Sequence, residues 1–193
     1  PQQVSIVIPV LGQVELTRDC IQSILSARTT LSYEIVLVNN GSNVEDSVAL
    51  RAIASRDGRI KLIRNDENYQ FAMGCNMGFS KSRGEVVVFL NNDTVVTDGW
   101  LDKLVAPLED YRMAAVETRL LFPNGTVQNV GTVFSPWSPL PYPIYSGAEN
   151  SMTCLDQSRS FQVVTAACIA VRSREFATLR GFDPAFINGH EDI

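Results

Sequence analysis

Val4-Ser5-Ile6-Val7-Ile8-Pro9 is a short, β-rich apolar run closed by proline, the pattern of a buried strand. Leu16, Cys20, Ile21, Ile24 and Leu25 then recur at helical spacing and predict one amphipathic helix. Glu34 to Val38 predicts a second buried strand, ending at the turn cluster Asn39-Asn40-Gly41-Ser42. Val48 to Ala54 follows as a weaker helix, Ile60 to Ile63 as a third strand, and Phe71 to Ser82 as a helix containing Gly74 and Gly78. Two internal glycines cost about 1 kcal/mol each relative to alanine, so another group is expected to come close to that helix. Glu85 to Leu90 is the fourth strand, a near-continuous apolar run of the kind a parallel sheet buries on both faces.

This alternation predicts an open α/β sheet with a mostly parallel centre flanked by helices. Such sheets bind ligands beyond the carboxyl ends of their strands, near a switch in strand order. Three segments fall there: Pro9-Val10, Asn39-Asn40 and Asn91-Asn92-Asp93. After a further amphipathic helix, Trp100 to Leu108, the pattern changes. Val116 to Phe122, Thr126 to Phe134 and Phe161 to Val171 read as strands separated by turns. Ser135 to Tyr145 reads as a long functional loop, because it holds four of the nine prolines beside Trp137, Tyr142 and Tyr145. Those aromatics are candidate stacking surfaces for a ligand.

At 193 residues, 45% of them hydrophobic and 19% charged, the chain fits one globular domain with a substantial core. Its 16 basic against 21 acidic residues give −5, which argues against nucleic acid as a partner. No apolar run reaches 18 residues, so no transmembrane segment is expected. Cys20, Cys75, Cys154 and Cys168 form no CxxC pair, and Cys20 and Cys168 sit in apolar segments, which favours a reduced chain. The three Asn-x-Ser/Thr sequons, at Asn40, Asn92 and Asn124, are read as incidental, because two stand at the strand ends where a glycan would block a cleft. One histidine, His190, excludes a His-rich zinc site.

Asn91-Asn92-Asp93-Thr94 directly follows a buried strand and should be presented at the sheet edge. As a turn it needs no ligand, since Asn and Asp favour turns locally. One carboxylate also suffices for Mg²⁺ or Mn²⁺ when a ligand's phosphates complete the octahedron. Asn68 to Gly78 runs from loop into helix, either as a tightly packed helix start or as an anion site; it is neither GxGxxG nor a Walker loop. Gly181-Phe182-Asp183 to Glu191-Asp192 combines turn signals, aromatics and paired acids, which are solvated charge or, in an apolar setting, a general base.

Together these segments resemble the family 2 glycosyltransferases, across nearly the whole chain. The carriers are Val4 to Val10, Val38-Asn39-Asn40-Gly41-Ser42, Asn68 with Phe71-Ala72, Gly74, Asn76 and Gly78, and Leu90-Asn91-Asn92-Asp93-Thr94 at the place of the DxD-type motif. Asn124 to Gly131 and Val164 to Cys168 are similar to segments of the bacterial polysaccharide and rhamnosyltransferase-like branch. Gly181-Phe182-Asp183 followed by Asn188-Gly189-His190-Glu191-Asp192 looks like the family's acidic motif. Three positions depart from the pattern: Asn39 where many relatives have Asp, Gln70 in place of a common glycine, and Asn91 at the first DxD position.

The resemblance implies the GT-A fold, a Rossmann-like nucleotide-diphospho-sugar transferase. It implies an inverting hexosyl or deoxyhexosyl transferase that takes a UDP- or dTDP-linked donor to a glycan or lipid-linked acceptor in bacterial surface polysaccharide synthesis. Pro9, Val10, Asn39, Asn40, Asn68, Phe71 and Asn76 would line or border the base and ribose pocket, with Asn91 and Asn92 near the diphosphate. Asp93 would hold Mn²⁺ or Mg²⁺, and Asp192, or else Glu191, would deprotonate the acceptor. Residues 1–110 would form the nucleotide-sugar-binding half and 111–193 the acceptor-side half of a single domain, 1–193, that starts without a leader and stops early in the acidic motif. The location expected is cytoplasmic, either free or peripheral at the inner membrane face. The alternative is a catalytically incomplete nucleotide-sugar-binding or docking module of a larger transferase.

Overall fold

The computed structural model describes residues 3–186. In chain order the first elements are β1 (Val4–Val10), α1 (Val14–Ser26), β2 (Tyr33–Asn40), α2 (Val44–Ala54), β3 (Ile60–Asn65), α3 (Gln70–Ser80), β4 (Val86–Leu90) and α4 (Trp100–Val105). Then come β5 (Ala115–Glu117), β6 (Leu120–Leu121), β7 (Val127–Asn129), β8 (Thr132–Ser135), β9 (Ser138–Pro143), β10 (Cys168–Arg172) and α5 (Ser173–Thr178).

The main sheet has six strands in the order β3-β2-β1-β4-β10-β5. β1 pairs in parallel with both β2 and β4, and β2 in parallel with β3. β10 runs antiparallel to β4 and to β5. The chain thus winds outward from β1 to β3 and returns to the other side of β1, so the switch in strand order lies between β1 and β4, where the carboxyl-end rule places a ligand.

Helices cover both faces of the sheet, which is why its central strands read as unbroken apolar runs. The period-2 alternation of a strand sorts the residues. Ile6, Ile8, Ile35, Leu37, Val88 and Leu90 join residues of α1, α2 and α4 in one core. Val7, Val36, Val38, Val87 and Phe89 join Cys75 of α3 and Phe176 of α5 in the other. The close approach expected at the α3 glycines is made by the sheet itself: a Cβ on Gly78 would stand 2.4 Å from the Val7 side chain and 2.9 Å from that of Val38.

α2 begins four residues before the expected Val48. Asn43 caps it, its side chain accepting from the Asp46 N–H at 2.8 Å. Val44 and Val48 are both exposed, so apolar periodicity is weak there and the capping residue sets the boundary.

The second half departs more. Val116 to Phe122 is two strands, β5 and β6, and Thr126 to Phe134 is divided into β7 and β8 by Gly131, at φ +143°. The ring of Phe161 fills the space where a Cβ of Gly131 would lie. Only Cys168 onward of the Phe161 to Val171 run is a strand. The proline-rich segment is not a loop, because residues 138–143 form β9, paired antiparallel with β8. Prolines at 139, 141 and 143 alternate, so the missing N–H groups fall on one strand edge and the other keeps its donors, as the Ile144 N–H to Gly131 carbonyl bond of 2.9 Å shows. Among the described residues no helix is long and apolar enough to cross a membrane.

Candidate active site

A cleft of about 290 Å³ opens at the carboxyl ends of β1, β2 and β4. Pro9, Val10 and Leu11 form its floor, Asn40, Asn68, Gln70 and Phe71 one wall, and Asn91, Asn92 and Asp93 the other. A larger, more apolar cavity of about 520 Å³ lies beside Tyr111, Val171, Phe176 and Leu179. Val171 pairs with Val87, near the amino end of β4, so that cavity stands away from the strand ends where amides and a carboxylate converge.

The Asp93 wall is a turn held from below. The Asn91 N–H donates to the Ala167 carbonyl at 3.0 Å, and the Thr94 N–H to the Asn91 carbonyl at 3.2 Å. The Cys20 thiol donates to the same Asn91 carbonyl at 3.7 Å. Burial, with Asp93 and Cys168 nearby, pushes the Cys20 thiol up to about 12, so it stays protonated as that donor. The Asn92 amide donates to Thr17 Oγ1 at 3.0 Å, fastening the turn to α1. Cys168 is likewise pushed up to about 12 by burial, and all four cysteines are free thiols.

The opposite wall is tied by Asn40. Its Nδ2 donates to Asn68 Oδ1 at 3.0 Å and to the Gln70 carbonyl at 2.9 Å. Its Oδ1 accepts from Asn65 Nδ2 at 2.9 Å and from the Tyr69 N–H at 3.3 Å. With both donors and both acceptor positions used, Asn40 shapes the wall.

Two candidate donor-pocket residues lie elsewhere. Asn39 is 1% exposed and, by strand alternation, faces away from Asn40. Its Nδ2 donates to Ser47 Oγ and its Oδ1 accepts from the Ser42 N–H, both at 2.9 Å, so it fixes the β2–α2 turn. Asn76 clasps the backbone of Phe182: Nδ2 donates to the Phe182 carbonyl at 2.8 Å, and the Phe182 N–H donates to Oδ1 at 2.9 Å. Gly181, at φ +82°, makes room, since a Cβ there would stand 2.3 Å from Asn76 Oδ1. The Phe182 ring packs 5.0 Å from Phe89, 5.1 Å from Phe176 and 6.2 Å from Phe71, centroid to centroid. The start of the acidic motif is therefore anchored on α3 beside the cleft. Glu191 and Asp192 lie outside the described residues. Trp137, Tyr142 and Tyr145 do not line the cleft.

Thr17 and Cys20 support the site from helix positions that read as ordinary core, so no sequence signal marks them. Leu11 follows Pro9-Val10 directly and could have been found from the strand end alone.

Among the described residues no three His, Cys, Asp or Glu side chains converge as a metal cage. Among the described residues Asp93 is the one carboxylate on the cleft wall. That donor set fits a hard divalent cation shared with a ligand's phosphate oxygens, and does not fit a site built from protein alone.

The model of the Glycosyl transferase family 2 family matches residues 5–157. The O-antigen biosynthesis protein RfbC of Myxococcus xanthus is 31% identical over 189 residues, covering 95% of this chain and 15% of that protein. The uncharacterized protein y4gI of Sinorhizobium fredii is 27% identical over 185 residues, covering 93% of this chain and 20% of that protein. The chain thus spans a fifth or less of these two relatives. Among solved structures, the mannosyltransferase PcManGT from Pyrobaculum calidifontis, in complex with GDP-Man and Mn²⁺, superposes with a TM-score of 0.70 at 16% identity over 99% of this chain and 50% of that one. GalNAc-T7 with UDP, GalNAc and Mn²⁺ superposes with a TM-score of 0.74 at 20% identity over 99% of this chain and 38% of that one. At these identities the likeness establishes the fold, which is GT-A.

Proposed function

The chain belongs to glycosyl transferase family 2, and from that premise we propose that its cleft binds a nucleotide-sugar and a divalent cation for inverting transfer of a hexosyl or deoxyhexosyl group. The observation that carries this reading is Asp93, among the described residues the lone carboxylate on the wall of a strand-end cleft otherwise lined by amide and apolar side chains. A UDP- or dTDP-linked donor is the substrate class, and a hydroxyl of a glycan or lipid-linked acceptor in bacterial surface polysaccharide synthesis receives the sugar. The likeness to an O-antigen biosynthesis protein supports that setting.

Asp93 would hold Mn²⁺ or Mg²⁺ against the diphosphate, and the cation, when bound, offsets the charge that grows on the departing nucleoside diphosphate. The Asn91-Asn92 turn holds that carboxylate in place, and Asn40 and Asn68 keep the opposite wall at a fixed distance. Such preorganisation lowers the cost of aligning donor and acceptor. Single displacement inverts the anomeric carbon, so the acceptor hydroxyl must approach from the face opposite the leaving diphosphate. Asp192, with Glu191 as the alternative assignment, would take the acceptor proton. The clasp between Asn76 and Phe182 supports this role, because it anchors the segment that leads to those carboxylates beside the donor cleft.

Calorimetry of UDP and dTDP binding, with and without Mn²⁺, tests the donor half of the reading. Binding should require the cation and vanish in Asp93→Ala; binding indifferent to both EDTA and that substitution would overturn the metal assignment. Asp192→Asn should retain nucleotide binding and lose transfer.

A further inference from the structure

Among the described residues, Gln70 is one of four non-glycine residues with a positive φ, and the one of those four that lines the cleft. Its φ of +65° lies in the left-handed region that favours glycine, where a residue with a Cβ is strained. Its backbone has no freedom to leave that conformation cheaply. The N–H donates to Asn68 Oδ1 at 2.8 Å, and the carbonyl accepts from Asn40 Nδ2 at 2.9 Å. Both of these backbone bonds would be made equally well by glycine. The carboxamide, by contrast, makes no hydrogen bond among the described residues, although the residue is half-buried at the cleft wall. A glutamine thus stands in a strained position where its side chain adds no hydrogen bond to the loop among the described residues. Strain retained at a ligand-facing position points to a role for the side chain.

The position within the cleft indicates which part of a ligand it meets. Asp93 follows β4, whereas the Gln70 wall is bonded to Asn40 at the end of β2. β1 lies between those two strands, so the two walls stand about two strand spacings, or ~10 Å, apart. A diphosphate held at Asp93 leaves room for a nucleoside to reach the far wall. A carboxamide offers adjacent acceptor and donor atoms that match the hydrogen-bonding edge of a nucleobase, and mispairing there leaves buried polar atoms unsatisfied.

We propose that the Gln70 carboxamide reads the nucleobase of the donor and sets which nucleoside diphosphate this cleft accepts. The proposal rests on the nucleotide-sugar reading of the same cleft. It assigns Gln70 a specificity role, separate from the metal and diphosphate at Asp93.

Calorimetric titration with UDP, dTDP, GDP and ADP, each with Mn²⁺, tests it on the parent chain, Gln70→Ala and Gln70→Gly, with Mn²⁺–pyrophosphate as the base-free control. The parent should favour one nucleoside diphosphate by about tenfold or more. Gln70→Ala should lose about tenfold on that nucleotide alone and bind the other three and pyrophosphate as before. Gln70→Gly should lose the same preference while its Tm is no lower than the parent's, because glycine relieves the left-handed strain. Equal weakening of all four nucleotides, retained preference in Gln70→Gly, or a parent that binds all four alike overturns the proposal. No binding of any nucleotide by the parent would instead overturn the donor-cleft reading beneath it.

Discussion

The same mostly parallel sheet carries a polar cluster at each of its two edges, and they are built to opposite ends. At the amino edge, Glu34 is 4% exposed and every approach to it is filled. Ser5 Oγ donates to its carboxylate at 2.8 Å, the Arg83 N–H at 2.7 Å and Lys61 Nζ at 3.2 Å. Burial opposes the charge on Glu34, but these three donors outweigh it and hold the carboxyl below its ordinary value. At the carboxyl edge, Asp93 stands on an open cleft with Asn91 and Asn92, and the amide network of Asn40 braces the facing wall. A carboxylate whose hydrogen bonds are met by the protein is a structural element. One left facing a cavity keeps its coordination capacity for a ligand.

Exchange of the two carboxylates for alanine should separate these roles most sharply. Asp93→Ala is expected to lower Mn²⁺-dependent nucleoside diphosphate affinity about a hundredfold or more, with Tm within about 1 °C of the parent, since exposed substitutions away from buried networks are near neutral. Comparable loss of Tm would make Asp93 structural and erase the contrast. Glu34→Ala should do the converse. It strands buried donors and costs about 3 kcal/mol, seen as a Tm lower by about 6–12 °C, while the variant that remains folded binds nucleotide as the parent does. Asn40→Ala sits between the two edges in kind. It unties the cleft wall from β2, with an expected cost of about 2 kcal/mol in urea unfolding together with a several-fold rise in nucleotide Kd. Loss of stability alone would remove Asn40 from the site.

The smallest effect is the pH dependence carried by Glu34. Its folded pKa is depressed below the ordinary value of 4.5. Its contribution is therefore fully present above that ordinary value and is lost as pH falls through the depressed folded value. The stability difference between the parent and Glu34→Gln should be constant from neutral pH down to about 5, then shrink in more acid solution. A difference that grows as pH falls would reverse the assigned sign.

The two edges also differ in how far they can be read from the chain. Asn91-Asn92-Asp93 and Asn39-Asn40 stand directly after apolar runs, and a polar cluster at the end of a buried strand can lie nowhere but the sheet edge. Glu34 and Ser5 gave no such signal, because each sits inside a run whose apolar neighbours define a strand, and their partners Lys61 and Arg83 are distant in sequence. The cleft was legible in part for the same reason. Pro9, Val10, Asn40, Asn68, Phe71, Asn91, Asn92 and Asp93 line it, whereas Asn39 and Asn76 turn to other partners. One residue of register decides between Asn39 and Asn40, and a strand's alternation sends the two to opposite faces.

By itself the sequence determined the winding of β1 to β4 with their helices, because four buried strands alternating with amphipathic segments admit few arrangements. It also determined that the polar strand ends share one edge. Only the tertiary structure decided that the proline-rich segment pairs as β9, that β10 inserts antiparallel beside β4, and that Asn76 clasps Phe182 106 positions along the chain. These depend on partners brought together by the closed fold. A hydrophobic pattern records which way a side chain faces, and says nothing about which distant backbone will meet it there.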